Sequence, residues 1–306
     1  MKNSNARPRL LIFDLLRILA IFMIVCAHIG QAFGIIYFMG FKPVFQMFYF
    51  SIGALGVFLF IFISGAVLEY SHLHILTFIQ YLKFIYNRFI RIYPAFWLSL
   101  IFGFIINFFI LKNKFLLNES IFDIFWEISG MTIYHDPYMN YINPIGWFIG
   151  LIIPLYLLFP IISAAMKKNP FITLLSMIIF GFLSTYLINQ YVFNVGGTGA
   201  RWYPICNFAY FALGIFLVQM KFYPTIENTS KIIIFLSDLA FYVFLTHYVL
   251  LFLCSTNMLN PINLPIYVIT VGISSIALKL LDEIFQNRFL KKGLSNGSVE
   301  MLRLQK

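Results

Sequence analysis

The stretch DLLRILAIFMIVCAH, residues 14–28, sets ionisable side chains inside a hydrophobic run that extends over residues 10–32. A run of about 20 apolar residues is long enough to cross a bilayer as a helix. Ionisable residues inside such a run are costly, and they are most often retained for a function. The pattern therefore raises the question of what Asp14, Arg17 and His28 do inside a membrane.

The composition identifies a membrane protein. Of the 306 residues, 61% are hydrophobic and only 10% are charged, whereas a soluble domain has about 25% charged residues. The formal charge is +10, but the basic residues cluster beside apolar runs, which favours membrane orientation over nucleic-acid binding. We therefore expect membrane lipid, and no nucleic acid, as a partner. The abundance of Ile, Phe, Lys, Asn and Tyr is typical of an AT-rich bacterial genome.

Apolar runs of spanning length recur along the chain and predict an all-α bundle of eight to ten transmembrane helices. We expect one membrane domain over residues 1–286 and a polar cytoplasmic tail over 287–306. The eight clear candidate spans are 11–32, 51–70, 93–111, 144–165, 171–189, 203–220, 232–254 and 264–285.

The Lys and Arg residues alternate between dense and sparse segments, which predicts the orientation. If the N-terminus lies inside, most of the basic residues fall in inner segments, and both termini are cytoplasmic. We therefore expect a multi-pass protein of the bacterial plasma membrane.

Two further segments do not fit a simple span. Residues 71–92 read as an inner-surface amphipathic helix that leads into the third span. Residues 115–134 carry Glu119, Asp123 and Glu127 at a spacing of four, which places three carboxylates on one helical face. We expect an outer, partly embedded helix there.

The ionisable residues of the first span share one face of its helix. Arg17 and His28 are eleven residues apart, which is close to three full turns and a rise of about 16 Å. Asp14 precedes Arg17 by three residues and can pair with it. The stripe therefore reaches from the inner leaflet towards the outer one. The alternative is that these residues only anchor the span at the two interfaces.

The pattern D-x-x-R-x10-H of this span resembles the opening of the acyltransferase-3 family of membrane-bound O-acyltransferases. Four more segments are similar to that family and follow in the same order. They are GALGVFLFIFISGAVL at 53–68, FIYNRFIRIYP at 84–94, GWFIGLIIPLYLLFP at 146–160 and AFYVFLTH at 240–247.

The resemblance implies a membrane enzyme that moves an acyl group, usually acetyl, from cytoplasmic acyl-CoA to a hydroxyl of a cell-surface glycan or lipid-linked sugar. It implies that Arg17 and His28 are the central catalytic pair, with Asp14 orienting Arg17. It associates Arg88 and Arg91 with the bound CoA, although both arginines also fit ordinary inner anchoring. Other proteins of polysaccharide synthesis are expected partners.

The chain also departs from the family pattern. Many members carry a glutamate pair where this chain has Ile152 and Ile153, and a tyrosine where it has Phe244. The chain looks like a membrane-only branch without a fused extracellular hydrolase-like domain. A related branch has been regarded as an exporter, so a polysaccharide exporter or flippase that uses the same polar conduit is the alternative function.

Acyl transfer to a hydroxyl needs a general base, an oxyanion stabiliser and a holder for the CoA phosphates. His28 is the candidate base, because imidazole works near neutral pH. No Gly-x-Ser-x-Gly elbow is present, which favours direct transfer. Backbone N–H groups around Ser64 and Gly65 are weaker candidates for the oxyanion hole beside the bound CoA, and helix packing by small residues is the equal alternative.

The other candidates are expected to bind substrate, and each has a structural alternative. Trp147 and Tyr156 fit an outer sugar cleft or an aromatic belt. His247 fits a second polar element of the site or a packing residue, and Arg201 fits an anionic acceptor or a lipid headgroup. The histidines and cysteines have no metal-site spacing, so no metal is assigned.

Overall fold

The computed structural model describes residues 8–32, 42–71, 77–110, 120–135, 142–191, 202–255 and 263–290. In these ranges the regular elements are helices and helical turns, with no strand. The predicted all-α fold is confirmed. Arg201, Glu119 and the tail from residue 291 lie outside the described residues.

Nine α-helices form the described part of the chain. They are α1 Leu11–Ala32, α2 Lys42–Ser71, α3 Phe78–Ile105, α4 Ile121–Ser129, α5 Gly146–Lys168, α6 Pro170–Tyr191, α7 Phe208–Gln219, α8 Lys231–Ser255 and α9 Asn263–Phe285. Short turns adjoin three of them. A π-helical turn, Ile106–Ile110, continues α3, a 3-10 turn, Pro204–Asn207, precedes α7, and a π-helical turn, Gln286–Leu290, continues α9.

Seven of the described helices, all except α4 and α7, are long and apolar enough to cross a membrane. The predicted span at 203–220 is a shorter apolar segment, Pro204–Gln219, which includes a 3-10 turn over Pro204–Asn207. The described residues therefore contain seven helices of spanning length, where the sequence predicted eight. The helix α4 is only 9 residues long, in keeping with the expectation that this region does not span.

The third span differs from its predicted boundary at Pro94. Instead of a surface helix followed by a span, α3 is one helix of 28 residues that passes through this proline. It begins after a capping box between Thr77 and Gln80. A proline removes one backbone hydrogen bond, but membrane helices tolerate it where neighbouring groups pack closely. Tyr93, Pro94 and Ala95 are all buried here.

One end of the bundle gathers several helix termini and basic side chains. The residues before α1 pair with the linker before α8, since Leu11 N–H donates to Ile226 O at 2.9 Å and Asn228 N–H donates to Arg9 O at 2.7 Å. The Tyr70 hydroxyl, at the end of α2, donates to Pro8 O at 3.0 Å. This end, which carries Arg9, Lys167 and Lys221, is termed the basic end below.

Helices α2 and α7 cross at very short range, and two glycines permit it. A Cβ atom at Gly65 would collide with the carbonyl oxygen of Phe211, and one at Gly214 would collide with the carbonyl oxygen of Phe62. The obstructing atoms are backbone atoms, which cannot swing aside. Small residues have this role at many membrane helix interfaces. The structure therefore places Gly65 in helix packing.

We expect Gly214→Ala to destabilise the protein by about 1–3 kcal/mol, because the added methyl group overpacks a backbone contact. The measurement is thermal unfolding of purified protein in one detergent. Gly272→Ala is the matched control, since nothing lies within 4 Å of a Cβ at Gly272. Equal melting temperatures for the two variants would contradict the packing role of Gly214.

Candidate active site

A buried carboxylate organises the start of α1. Asp14 is 1% exposed, and it accepts two hydrogen bonds from Arg9, both 2.7 Å. It also accepts from Asn228 Nδ2 at 2.6 Å and from the Ser237 hydroxyl at 2.7 Å. Arg17 Nη1 lies 3.3 Å from the carboxylate and donates to Ser237 Oγ at 2.7 Å. The predicted pairing of Asp14 with Arg17 is thus present, within a larger network.

The network contains residues that the sequence did not single out. Arg9 holds Asp14 in a bidentate pair and reaches Asp238 at 2.9 Å. Ser237 and Asn228 lie more than 200 positions away from Asp14 in the sequence. Neither residue belongs to a recognisable motif, so only the packing of α1 against α8 reveals their part.

A cavity of about 750 Å³ opens beside this network, among α1, α2, α3, α5 and α8. Four arginines line it, namely Arg9, Arg17, Arg88 and Arg91, together with the two carboxylates of Asp14 and Asp238. The formal charge of the lining is therefore positive. A volume of this size falls within the usual range for ligand pockets, about 300–1,000 Å³.

The arginines of α3 face the cavity in different surroundings. Arg88 is half-buried, and its guanidinium carbon lies 5.6 Å from the centre of the Phe84 ring. Arg91 is exposed, and no described carboxylate lies within ion-pair distance of it. The sequence predicted that both would face one ligand, and the structure places both in one cavity with Arg17.

Two hydroxyl side chains complete the polar wall. Ser64 and Tyr156 both line the cavity, with their oxygens 3.5 Å apart. Tyr156 thus lies in the same cavity wall as the arginines. Trp147 does not line the cavity and packs at the margin of the main core. Ile152 faces the cavity, whereas Ile153 packs against the core.

Three phenylalanines close the apolar end of the cavity. Phe60, Phe148 and Phe244 all line it, and their ring centroids lie 4.9–6.4 Å apart. Such separations are typical of favourable aromatic pairs. These three residues, termed the phenylalanine trio, separate the arginines from the next polar group along α1 and α8.

His28 lies beyond the trio, in a cluster with His247 and Tyr248. Its ring centroid is 5.3 Å from that of His247 and 4.8 Å from that of Tyr248. The Phe244 ring, which lines the cavity, is 5.9 Å from the His247 ring. Arg17 and His28 therefore share a face of α1 as predicted, but they belong to two adjoining compartments.

A family model described as an acyltransferase domain, of the acyltransferase-3 type, matches residues 10–233. The chain belongs to the acyltransferase-3 family. Neither a curated protein nor a solved structure matches it. The matched region includes Arg17, His28, Arg88 and Arg91, so this chain is a membrane acyltransferase. The segment with His247 lies beyond the match.

In this acyltransferase, α4 supports the histidine cluster through Glu127. The Glu127 Oε1 atom accepts from the N–H groups of Ile142 and Asn143 at 2.7 and 3.0 Å. The Asn143 amide in turn donates to Ser99 Oγ at 3.1 Å and to Leu245 O at 3.0 Å. The chain before α5 is thereby fixed to α8, two residues from His247.

The carboxylates predicted on one face of α4 have separate roles. Asp123 lies at the surface, where a hydrogen bond from Ser120, and then one from His135, lowers its pKa. Glu127 points inward and is 3% exposed. Burial raises the pKa of Glu127 to about 7, against the opposing effect of the two backbone donors.

The raised pKa of Glu127 predicts a pH dependence of stability. Between pH 4.5 and about 7 the folded protein binds more protons at this residue than the unfolded chain does. The contribution of Glu127 to the free energy of unfolding therefore decreases as the pH rises through this window. The Glu127→Gln variant keeps the accepting oxygen but has no carboxyl group to titrate at this position. Across the window, the free energy of unfolding of the unchanged protein therefore falls relative to that of the variant by at most about 3 kcal/mol.

The measurement is the melting temperature in one detergent from pH 4.5 to pH 8. We expect the difference between Glu127→Gln and the unchanged protein to grow up to about pH 7 and then to level off. Asp123→Asn controls for the loss of a carboxylate from the same helix. A difference that stays constant over the window would show that Glu127 is charged throughout.

Proposed function

We propose that this acyltransferase moves an acyl group, acetyl in the simplest case, from acyl-CoA to a hydroxyl of a cell-surface or lipid-linked glycan. The observation that carries the proposal is the arginine-lined cavity of about 750 Å³. A CoA molecule presents several phosphate charges, and guanidinium groups bind phosphate oxygens in pairs of hydrogen bonds.

The position of the cavity supports a cytoplasmic donor. It opens at the basic end, where Pro8 and Arg9 belong to its wall. The positive-inside rule associates a concentration of Lys and Arg with the cytoplasmic side, which is where acyl-CoA is produced. The glycan acceptor then approaches from the other side, towards His28.

The charges of the cavity divide into structural and ligand-binding groups. Arg9 is committed to Asp14 and Asp238 through contacts of 2.7–2.9 Å. Arg91 has no such partner among the described residues, and Arg88 lies one turn before it. We assign Arg88 and Arg91 to the CoA phosphates. Arg17, which is anchored through Ser237, is assigned to the CoA arm, with Ser64 and Tyr156 beside it.

The reaction follows from this arrangement. The acceptor hydroxyl attacks the thioester carbonyl, and His28 takes its proton as the new C–O bond forms. The tetrahedral oxyanion needs a hydrogen-bond donor on the histidine side of the phenylalanine trio, whereas Arg17, on the arginine side, holds the CoA arm. When the C–S bond breaks, protonated His28 returns the proton to the CoA thiolate. The pantetheine arm of the CoA passes the phenylalanine trio, and these rings keep water from the thioester.

The same geometry argues against an exporter. A passage for a long glycan needs polar groups along its whole length. Among the described residues, the cavity ends at the phenylalanine trio, and neither His28 nor His247 belongs to its lining. This arrangement suits a bound donor with one reactive end better than a continuous conduit.

The double variant Arg88→Ala, Arg91→Ala tests the donor site. We expect it to weaken acetyl-CoA binding about tenfold or more for each charge-assisted hydrogen bond lost, with less effect at high salt. Titration calorimetry on protein in nanodiscs measures the affinity. Single Arg→Lys changes should restore binding only in part, because an ammonium group lacks the bidentate geometry.

Lys83→Ala is the matched control for that experiment. Lys83 carries the same charge on the exposed face of the same helix and is not part of the cavity wall. If Lys83→Ala weakens binding as much as the double variant does, the effect is one of general charge. If the unchanged protein binds no acyl-CoA at millimolar concentration, the acyltransferase proposal for this cavity is wrong.

His28→Ala tests the base. Loss of a general base lowers the rate about 10²–10⁴-fold, while acetyl-CoA binding should remain, because His28 lies outside the arginine-lined cavity. The measurement is transfer of label from acetyl-CoA to lipid-linked glycan by reconstituted protein, with ester content of the cell surface as a second readout. A near-normal rate would remove His28 from the mechanism.

A further inference from the structure

The helix that carries His247 fixes the tautomer of its imidazole ring. Its ring is 0% exposed, and its Nδ1 lies 2.8 Å from Phe244 O and 3.1 Å from Val243 O. Carbonyl oxygens only accept hydrogen bonds, so the hydrogen of these contacts must be on Nδ1. In the neutral ring, Nε2 then carries a lone pair and acts only as an acceptor.

That acceptor is buried without a partner. Within the described part of the chain, no group lies at hydrogen-bond distance from His247 Nε2. Buried polar atoms are nearly always paired in folded proteins, and an exception points to strain, a ligand or a functional role. The atom therefore needs a donor that this resting arrangement does not supply.

The neighbouring ring that can supply a donor is His28. The two ring centroids are 5.3 Å apart and the planes are inclined by 40°, a separation at which a nitrogen of one ring can come within hydrogen-bond distance of a nitrogen of the other. A base that has taken a proton carries an N–H on both nitrogens. One of them faces the reacting oxygen, and the other then needs an acceptor.

We propose that His247 is the positioning residue of His28. Its Nε2 accepts a hydrogen bond from the His28 nitrogen that does not face the substrate, which orients the ring and stabilises its protonated form. The proton stays on His28 and returns to the CoA thiolate, so His247 changes neither charge nor tautomer. This inference rests on the proposed function, in which His28 is the base.

The backbone around His247 is built to hold this position. The Tyr267 hydroxyl donates to His247 O at 3.0 Å and joins α9 to α8. The Asn143 amide donates to Leu245 O at 3.0 Å from the opposite side. An orienting group must be more rigid than the group that it orients, and His247 is fixed through both its ring and its backbone.

Two substitutions separate orientation from packing. In His247→Asn the amide nitrogen occupies the place of Nδ1 and keeps the bond to Phe244 O, but nothing replaces Nε2. In His247→Gln the amide oxygen reaches the place of Nε2 and keeps an acceptor towards His28. A packing role predicts that Asn is the better substitute, whereas the positioning role predicts that Gln is.

The assay uses protein in nanodiscs, radiolabelled acetyl-CoA and lipid-linked glycan extracted from the expressing cells. We expect His247→Asn to lower kcat about 10–100-fold with an unchanged KM for acetyl-CoA, as is typical for loss of an orienting partner. His247→Gln should stay within a few-fold of the unchanged protein. In a His28→Ala background, neither change should lower the rate further.

Folding is checked separately for each variant. Melting temperature and acetyl-CoA affinity should equal those of the unchanged protein. If His247→Asn does not fold, His247→Ala serves instead, since alanine suits a helix, and free imidazole added to that variant should restore transfer.

Contrary results are easy to tell apart. Full activity of His247→Asn, equal loss in the Asn and Gln variants, or a change in KM alone would overturn the role of His247. An unchanged protein that transfers no acyl group from acetyl-CoA would overturn the proposed function itself.

Discussion

The buried carboxylate of Asp14 is the interaction on which the arrangement of this acyltransferase depends. A charged group with 1% exposure inside a membrane helix must be fully compensated. Arg9, Arg17, Asn228 and Ser237 all contact it within 3.3 Å. Since these partners come from the residues before α1, from α1 itself, from the linker before α8 and from α8, one carboxylate fixes the relative position of the helices that carry both histidines.

This anchoring also explains how positive charge is kept in the cavity. Arg9 is neutralised by two carboxylates, but Arg17 shares Asp14 with it and keeps one face towards the cavity. Arg88 and Arg91 add to that charge from α3. A low-dielectric wall strengthens such a field and attracts anionic ligands. The anchor therefore has a functional consequence as well as a structural one.

Much of this could be predicted from the sequence, because it depends on local periodicity. The first span, the shared face of Arg17 and His28, and the proximity of Arg88 and Arg91 all follow from helical geometry. The helix through Pro94 could not be predicted, since a proline ends or continues a membrane helix according to its packing.

Contacts between distant segments were also beyond the sequence. The Asp14–Ser237 hydrogen bond joins residues 223 positions apart, and nothing in the spacing of α1 indicates it. The same holds for Tyr156, whose place beside Ser64 in the arginine-lined cavity no spacing in the sequence indicates. Gly65 is a further case, because only the crossing of α2 and α7 shows that its missing side chain makes room for Phe211.

The place of Ile152 shows how a departure from the family pattern fits the proposed chemistry. The family pattern described above has a glutamate at this position in many members, and here the isoleucine is 2% exposed and forms part of the cavity wall. A carboxylate there would neutralise part of the charge that Arg88 and Arg91 present. With isoleucine this part of the wall is apolar, which suits the uncharged pantetheine arm of a CoA thioester. Under the proposed function, the CoA phosphates bind at the arginine end of the cavity, and the reactive carbonyl is directed towards the histidines.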